Sequence, residues 1–308
     1  MTNVPEIPES LVKAIIFLRG EDDGRAWLAA LPQRIRLYAG RWGLEVENIA
    51  EGGAMSCCVF CTTSDGVPAV LKIPVDEPSG LSELRQLQRW DGSGATPRIL
   101  EQANGSGVFL MTRILPGTTA WATNGPDDSR KFGDLLHRLH HPGLPAGPRL
   151  KDMAEIAEMR LEWARERFAD PRYANDIASI KDAERVLDAL LRTTTTRHVL
   201  HADLQAKNIL RGPDDWFAID PLGATGDLNA EAALWVAIQD GPATTEDRLG
   251  ELQGHEFLNA DRLKAWTFML SVAEYRPYLP PSAHRIEQFL VSADSDELLN
   301  AVLGSPRQ

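Results

Sequence analysis

Apolar residues first recur along this chain at helical spacing. Leu11, Ile15 and Leu18 share one helix face, and Trp27, Leu31, Ile35 and Tyr38 share another, so two helices are predicted to open the chain. Pro32 falls early in the second helix, and Gly40 and Gly43 mark its end. The period then shortens. Residues 44–50 read as a strand, Glu51-Gly52-Gly53-Ala54 as a turn, and the run Met55-Ser56-Cys57-Cys58-Val59-Phe60-Cys61-Thr62 as a second strand. Asp65-Gly66 turns the chain into a third strand, Pro68-Ala69-Val70-Leu71-Lys72-Ile73, with one lysine in apolar company. Ser79 or Ser82 is positioned to cap a helix through Leu84, Leu87 and Trp90. Residues 97–100 and 108–112 read as two further short strands about a turn at Asn104-Gly105.

After Pro116-Gly117 helical patterns dominate, over 128–140, 153–168, 177–191 and most of 229–303. Short strands at 199–200, 209–210 and 216–219 interrupt them. The pattern predicts an α+β chain with a strand-rich first part and a helix-rich second part, dividing near residues 111–116. There are no internal repeats or low-complexity tracts.

Composition narrows the function classes. The chain has 308 residues, enough for two separate cores, and a net charge of −12 spread evenly along its length. No basic run appears, which argues against a nucleic-acid partner. No apolar stretch is long enough to cross a membrane. Residues 1–6 lack the basic and apolar regions of a signal peptide, so the expected location is cytoplasmic. An acidic surface suits a cationic small molecule, and it equally serves solubility. Cys58-x-x-Cys61 has metal or redox spacing, but no second pair completes a four-ligand site, and the strand reading buries these thiols.

The chemistry concentrates in His201-Ala202-Asp203-Leu204-Gln205-Ala206-Lys207-Asn208-Ile209-Leu210, followed by Phe217-Ala218-Ile219-Asp220-Pro221. An aspartate, an asparagine five residues on and a later second carboxylate match the protein-kinase pattern H-R-D-x-x-x-x-N and D-F-G in spacing and logic. Phosphoryl transfer needs a carboxylate to orient the acceptor hydroxyl, and an amide oxygen with a second carboxylate to hold magnesium. Asp203 is the candidate for the first role; Asn208 and Asp220 are the candidates for the second. Lys72 suits the nucleotide phosphates. Glu83 on the following helix is its expected partner, with Glu77 as competitor, because a buried unpaired charge is costly. Gly52 and Gly53 would let backbone approach phosphate. Singly, each residue has a plainer reading: Lys72 as an edge-strand lysine, Asp220-Pro221 as a turn initiator. Their order along the chain favours the kinase-like reading.

These residues resemble the aminoglycoside phosphotransferase family, in its streptomycin and hydroxyurea resistance branch. The resemblance runs through Arg41-Trp42-Gly43-Leu44, Glu51-Gly52-Gly53, Ala69-Val70-Leu71-Lys72-Ile73, Glu83-Leu84 with Trp90, and Leu115-Pro116-Gly117. It continues through His201 to Leu210 and Ile219-Asp220-Pro221-Leu222-Gly223-Ala224-Thr225-Gly226-Asp227. It implies a two-lobed protein-kinase-like fold. Residues 1–111 would form a small nucleotide-binding lobe with an antiparallel sheet and two leading helices. Residues 112–308 would form a helix-rich catalytic and acceptor-binding lobe. It implies ATP and Mg2+ as cofactors, Asp203 as catalytic base, Asn208 and Asp220 on the metal, Lys72 on phosphate, and the backbone of Met111, Thr112 and Arg113 against adenine. The partner would be a small-molecule hydroxyl acceptor, such as a streptomycin-like antibiotic, and the protein a monomer or weak dimer. Asp227 and Glu231 are candidates either for binding a cationic acceptor or for capping a helix. Three departures from the family pattern stand out: Ala202 for glycine, Gln205 for histidine and Leu222 for lysine. The rival readings are a kinase of another small metabolite or antibiotic and a nucleotide-binding pseudokinase without turnover, the latter supported only by Ala202 and Leu222.

Overall fold

The computed structural model describes residues 3–51, 55–120, 127–140, 150–279 and 281–304. The chain divides into two compact units, residues 1–115 and 116–308; the sequence pattern places the division near 111–116, and the resemblance places it after 111.

The first unit is a five-stranded antiparallel sheet covered by helices. The chain enters through α1 (Glu9–Arg19) and α2 (Glu21–Trp42), and α2 continues through Pro32. The strands are β1 (Glu45–Ile49), β2 (Ser56–Thr62), β3 (Pro68–Pro74), β4 (Ile99–Gln102) and β5 (Phe109–Thr112), in the spatial order β1-β2-β3-β5-β4. Helix α3 (Glu77–Arg89) follows β3. Its cap is Asp76 rather than either serine. The Asp76 carboxylate accepts the Ser79 N–H at 2.9 Å, and Pro78 occupies the first turn, where its missing N–H costs nothing.

The two-residue strand period sorts the sheet into two faces. Ala69, Leu71 and Ile73 join Cys57, Val59 and Cys61 in a core with Leu11, Ile15, Leu31 and Ile35 of the leading helices. Val70, Phe109 and Met111 pack on the opposite face against Leu84 and Leu87 of α3. Lys72 has the parity of Val70, so its side chain is delivered to the α3 side. Two glycines let α3 come close. A Cβ on Gly80 would lie 2.5 Å from Pro74 Cγ, and one on Gly107 (φ 67°) would lie 2.8 Å from the Glu77 carbonyl oxygen. Burial pushes the thiols of Cys57 and Cys61 up to about 12 and about 11, so both are inert core residues.

The second unit is mainly helical: α4 (Asp128–His140), α5 (Met153–Ala169), α6 (Ile180–Thr193), α7 (Leu228–Ile238), α8 (Thr245–Leu252), α9 (Ala260–Glu274), α10 (Ser282–Ser292) and α11 (Ser295–Gly304). Helix α6 starts three residues later than the pattern suggested. Asn175 Oδ1 instead accepts the N–H groups of Ile177 and Ala178, and Ser179 caps the helix. Helix α7 is buried on every side over residues 228–237, and α9 is nearly so. Polar groups on these two helices must therefore find partners inside the protein.

Among the described residues, five short strands thread this unit: β6 (Lys151–Asp152), β7 (His198–Leu200), β8 (Ile209–Arg211), β9 (Trp216–Ala218) and β10 (Ala224–Gly226). β8 and β9 form an antiparallel hairpin, while β10 pairs in parallel with β6 and antiparallel with β7. β10 carries no strand signal in its Ala-Thr-Gly sequence. Among the described residues, no helix is long and apolar enough to cross a membrane.

Candidate functional site

In the first unit, Lys72 Nζ lies 2.5 Å from Glu83 Oε1. The lysine side chain is 3% exposed and the glutamate 16%, so the charge is desolvated and paired, and the partner is Glu83 rather than Glu77. Gly52 and Gly53 lie outside the described residues. Met111 packs into the α3-side core. The Thr112 N–H donates to Arg98 and the Arg113 N–H to Pro68, at 2.9 and 3.0 Å. Adenine recognition by donation from those two N–H groups is thereby closed off. The Arg113 side chain lies over the Phe60 ring at 3.9 Å and pairs with Glu47 at 2.9 Å.

In the second unit, the loop between β7 and β8 brings the kinase-like residues together. Asn208 ends a single 3-10 turn, Ala206–Asn208. Its Nδ2 donates to the Asp203 carbonyl at 2.8 Å and to Asp203 Oδ2 at 2.9 Å. Both amide hydrogens are thus turned towards Asp203, which leaves Oδ1 as the end suited to a metal. The Ile219 N–H donates to the Asn208 carbonyl at 2.9 Å, extending the β8–β9 hairpin, and Asp220 is the next residue along the chain. Asp220 itself adopts a left-handed conformation with φ 57°.

His201 supports the loop. Its ring is fully buried; the Asp203 N–H donates to Nδ1 at 3.3 Å, and Nε2 lies 2.8 Å from the Ile219 carbonyl. An acceptor at Nδ1 places the ring proton on Nε2, so the histidine ties the aspartate strand to the metal strand.

Ala202 has φ 67°, a region where a side chain costs about 1 kcal/mol relative to glycine. A glycine at this position, which the resemblance implies, would carry no such cost. Two hydrogen bonds hold the strained turn. Glu231 on α7 accepts the His201 N–H at 2.7 Å through Oε1 and the Ala202 N–H at 2.8 Å through Oε2. We expect Ala202→Gly to keep activity and raise the unfolding midpoint by about 2–4 °C. A calorimetric scan checks it, and a lowered midpoint would reject the strain argument.

Asp227 and Glu231 are therefore committed inside the protein. Asp227 caps α7 by accepting the Asn229 N–H at 3.0 Å. Its Oδ2 takes Arg262 Nη2 at 2.5 Å and Trp266 Nε1 at 2.7 Å. Both residues are buried, at 6% and 2% exposure, and neither presents its carboxylate to an acceptor. The Glu231 carboxyl is held below its ordinary value: burial opposes ionisation, but the His140 contact and the Ala202 N–H outweigh it.

Arg160, which touches Asp203, and Glu274, which holds Arg160, escaped the sequence reading. Arg160 on α5 bridges Asp203 Oδ1 at 2.9 Å and Glu274 Oε1 at 2.5 Å. Arg276 closes on Glu274 Oε2 at 2.7 Å. Burial works against the Arg160 cation, but Glu274 and Asp203 hold its pKa above the ordinary value. The signal was present, because Arg160 falls on the buried stripe of Ile156, Ala157, Leu161 and Ala164. A charge in that position demands a buried partner. Gln205 Nε2 also donates to Asp203 Oδ1, at 2.7 Å.

The donor set fits magnesium. One amide oxygen and one carboxylate are hard ligands, and this ion takes its remaining oxygens from phosphate and water. Among the described residues, no group of three or more His, Cys, Asp and Glu forms a ready-made metal cage. That suits an ion held partly by its substrate.

A family model described as aminoglycoside/hydroxyurea antibiotic resistance kinase matches residues 41–274. The chain is 31% identical over 241 residues to streptomycin 6-kinase of Streptomyces griseus, covering 76% of this chain and 75% of the relative. It is 30% identical over 270 residues to hydroxyurea phosphotransferase of Kitasatospora aureofaciens, covering 86% and 77%. Among solved structures, a choline/ethanolamine kinase family protein from Mesorhizobium loti aligns with a TM-score of 0.62 at 16% identity, over 92% of this chain and 99% of that one. At that identity the likeness carries the fold alone, which is kinase-like and α+β.

Proposed function

The chain belongs to the aminoglycoside/hydroxyurea antibiotic resistance kinase family, and from that premise we propose that it is an ATP- and magnesium-dependent phosphotransferase with Asp203 as catalytic base. It acts on a hydroxyl of a small-molecule antibiotic. The observation that carries the assignment is the hydrogen-bonded pair of Asp203 and Asn208, joined through the Asn208 carbonyl to Ile219, the residue before Asp220.

Asp203 receives the acceptor hydroxyl. As the acceptor oxygen bonds to the γ-phosphorus and the bond to the bridging oxygen breaks, the hydroxyl proton passes to the Asp203 carboxylate and ADP departs. A carboxylate is a weak base for an alcohol. In a loose transition state the proton leaves late, so orientation contributes more than basicity. Magnesium, when bound, would neutralise the charge on the transferring phosphates, held by Asn208 and Asp220. Lys72, fixed by Glu83, is assigned to the nucleotide phosphates. Leu222 puts no cation after Asp220, while Lys207 Nζ lies 3.7 Å from Asp203 Oδ2.

The relatives' names point to two acceptors of opposite character: streptomycin, a polycation, and hydroxyurea, small and neutral. The internal commitment of Asp227 and Glu231 removes the two acidic side chains that argued for a cation. We place the enzyme in the cytoplasm, where ATP and magnesium are supplied and its free cysteines stay reduced. The test is incubation with γ-labelled ATP, magnesium and a panel of hydroxylated antibiotics including both compounds, with mass spectrometry of the products. Label transfer lost in Asp203→Ala supports the reading. ATP binding without transfer to any acceptor supports the pseudokinase instead.

A further inference from the structure

Arg160 is the buried cation closest to the reacting carboxylate, and the family resemblance gives it no role. We propose that Arg160 is a positioning residue for Asp203. It pins Oδ1 so that Oδ2 is the oxygen presented to the acceptor hydroxyl. The inference rests on the reading of Asp203 as catalytic base.

The geometry separates the two carboxylate oxygens. Oδ1 accepts from the Arg160 guanidinium at 2.9 Å and from Gln205 Nε2 at 2.7 Å. Both bonds end on the carboxylate charge and the first also starts from a cation, so this oxygen is engaged on both available sides. Among the described residues, Oδ2 takes only the Asn208 amide at 2.9 Å, with Lys207 Nζ more distant at 3.7 Å. An incoming hydroxyl meets an unfilled acceptor direction at Oδ2 and a filled one at Oδ1.

Arg160 is itself held. Its other arm donates to Glu274 Oε1 at 2.5 Å, and Glu274 is anchored by Arg276 at 2.7 Å. The side chains of Arg160, Glu274 and Asp203 are 8%, 7% and 22% exposed. Two buried members thus fix the one that reaches solvent. This is the logic of an orienting partner in a catalytic triad, with the charges reversed. A carboxylate of this kind has a free χ2 rotation that the loop backbone does not control. The guanidinium removes that freedom and leaves the backbone restraints to His201 and Glu231.

The test compares wild type with Arg160→Lys, Arg160→Ala, Glu274→Gln, the double variant Arg160→Ala/Glu274→Gln, and Asp203→Asn. ADP release is followed with ATP, magnesium and the pooled acceptor panel, and rates are normalised to ATP-binding stoichiometry. The double variant removes both charges of the buried pair and so keeps the fold testable where Arg160→Ala alone fails to fold. The expected result is a loss of about 10–100-fold in kcat with KM for ATP unchanged, as misplacement of a catalytic group produces. Millimolar guanidinium should restore turnover saturably in the alanine variants, and Arg160→Lys should fall between. Full normalised turnover in the double variant, or a loss that guanidinium does not relieve, overturns the assignment while leaving Asp203 in place. Undiminished turnover in Asp203→Asn, or none in wild type, overturns the underlying reading and this inference with it.

Discussion

Replacing Asp203 with asparagine is expected to lower kcat by about 10²–10⁴-fold, the usual contribution of a positioned general base. The fold should survive. The new amide oxygen can still accept from Arg160 and Gln205, which now meet Oδ1 at 2.9 and 2.7 Å. Arg160 keeps its full carboxylate partner in Glu274. The amide nitrogen would replace Oδ2, where it confronts the Asn208 Nδ2 donor that now lies at 2.9 Å. That local donor–donor conflict costs stability on the order of 1–3 kcal/mol, within the range for a broken hydrogen bond. Two measurements separate the effects: ADP release in the presence of acceptor, and the unfolding midpoint of the same sample. A variant that turns over within a few-fold of wild type would remove Asp203 from the chemistry. A variant that is merely unfolded would show its loss in the second measurement first.

What the sequence disclosed of this site follows a physical division. Asp203, Asn208 and Asp220 are close along the chain, and local backbone hydrogen bonds run from Asp203 through Asn208 to Ile219, so spacing alone nominates them as a set. Lys72 and Glu83 were legible for a related reason. The strand period fixes which face Lys72 uses, and the helix after it begins within reach. Arg160 and Glu274 meet only because α5 and α9 pack together, and no spacing rule spans that separation. The sole trace was a charge on an apolar stripe. Glu231 was weighed as an acceptor ligand or a helix cap, and it is neither. It reaches from a wholly buried helix to two backbone N–H groups of a strained turn, a contact with no local signature. Asp227 does cap α7, yet most of its hydrogen bonds go to residues on α9 or to the Asn229 side chain.

Asp227→Ala is expected to cost about 3–5 kcal/mol of stability, because it strands the Arg262 guanidinium without its buried counter-charge. Against a typical total of about 5–15 kcal/mol, that leaves a marginal protein. Denaturant unfolding measures it directly. Had Asp227 served the acceptor, the variant would unfold like wild type and show only a raised KM for acceptor, and that pattern would reverse the assignment made from its contacts.

Glu231→Gln carries the argument into pH. Its carboxylate serves two backbone donors, and an amide offers only one oxygen, so the Ala202 or His201 N–H loses its acceptor. Stability at neutral pH should fall by about 1–3 kcal/mol. In wild type, the Glu231 and Glu274 carboxyls are both held below the ordinary value of 4.5. A depressed folded value means the unfolded chain binds protons more readily, so their contribution is complete above 4.5 and drains away as pH falls through the folded values. His198 adds an earlier step. Burial, and then the neighbouring His140, push its pKa below 6.5, so the folded form prefers the neutral ring and loses ground from 6.5 downward. Wild-type stability should therefore begin to slip below 6.5 and drop more steeply below 4.5. Glu231→Gln should start lower at neutral pH and descend less steeply in acid, with the two curves converging. Parallel curves across that range would mean that folding leaves the Glu231 carboxyl at its unfolded value, and the two N–H contacts would then not favour its charged form.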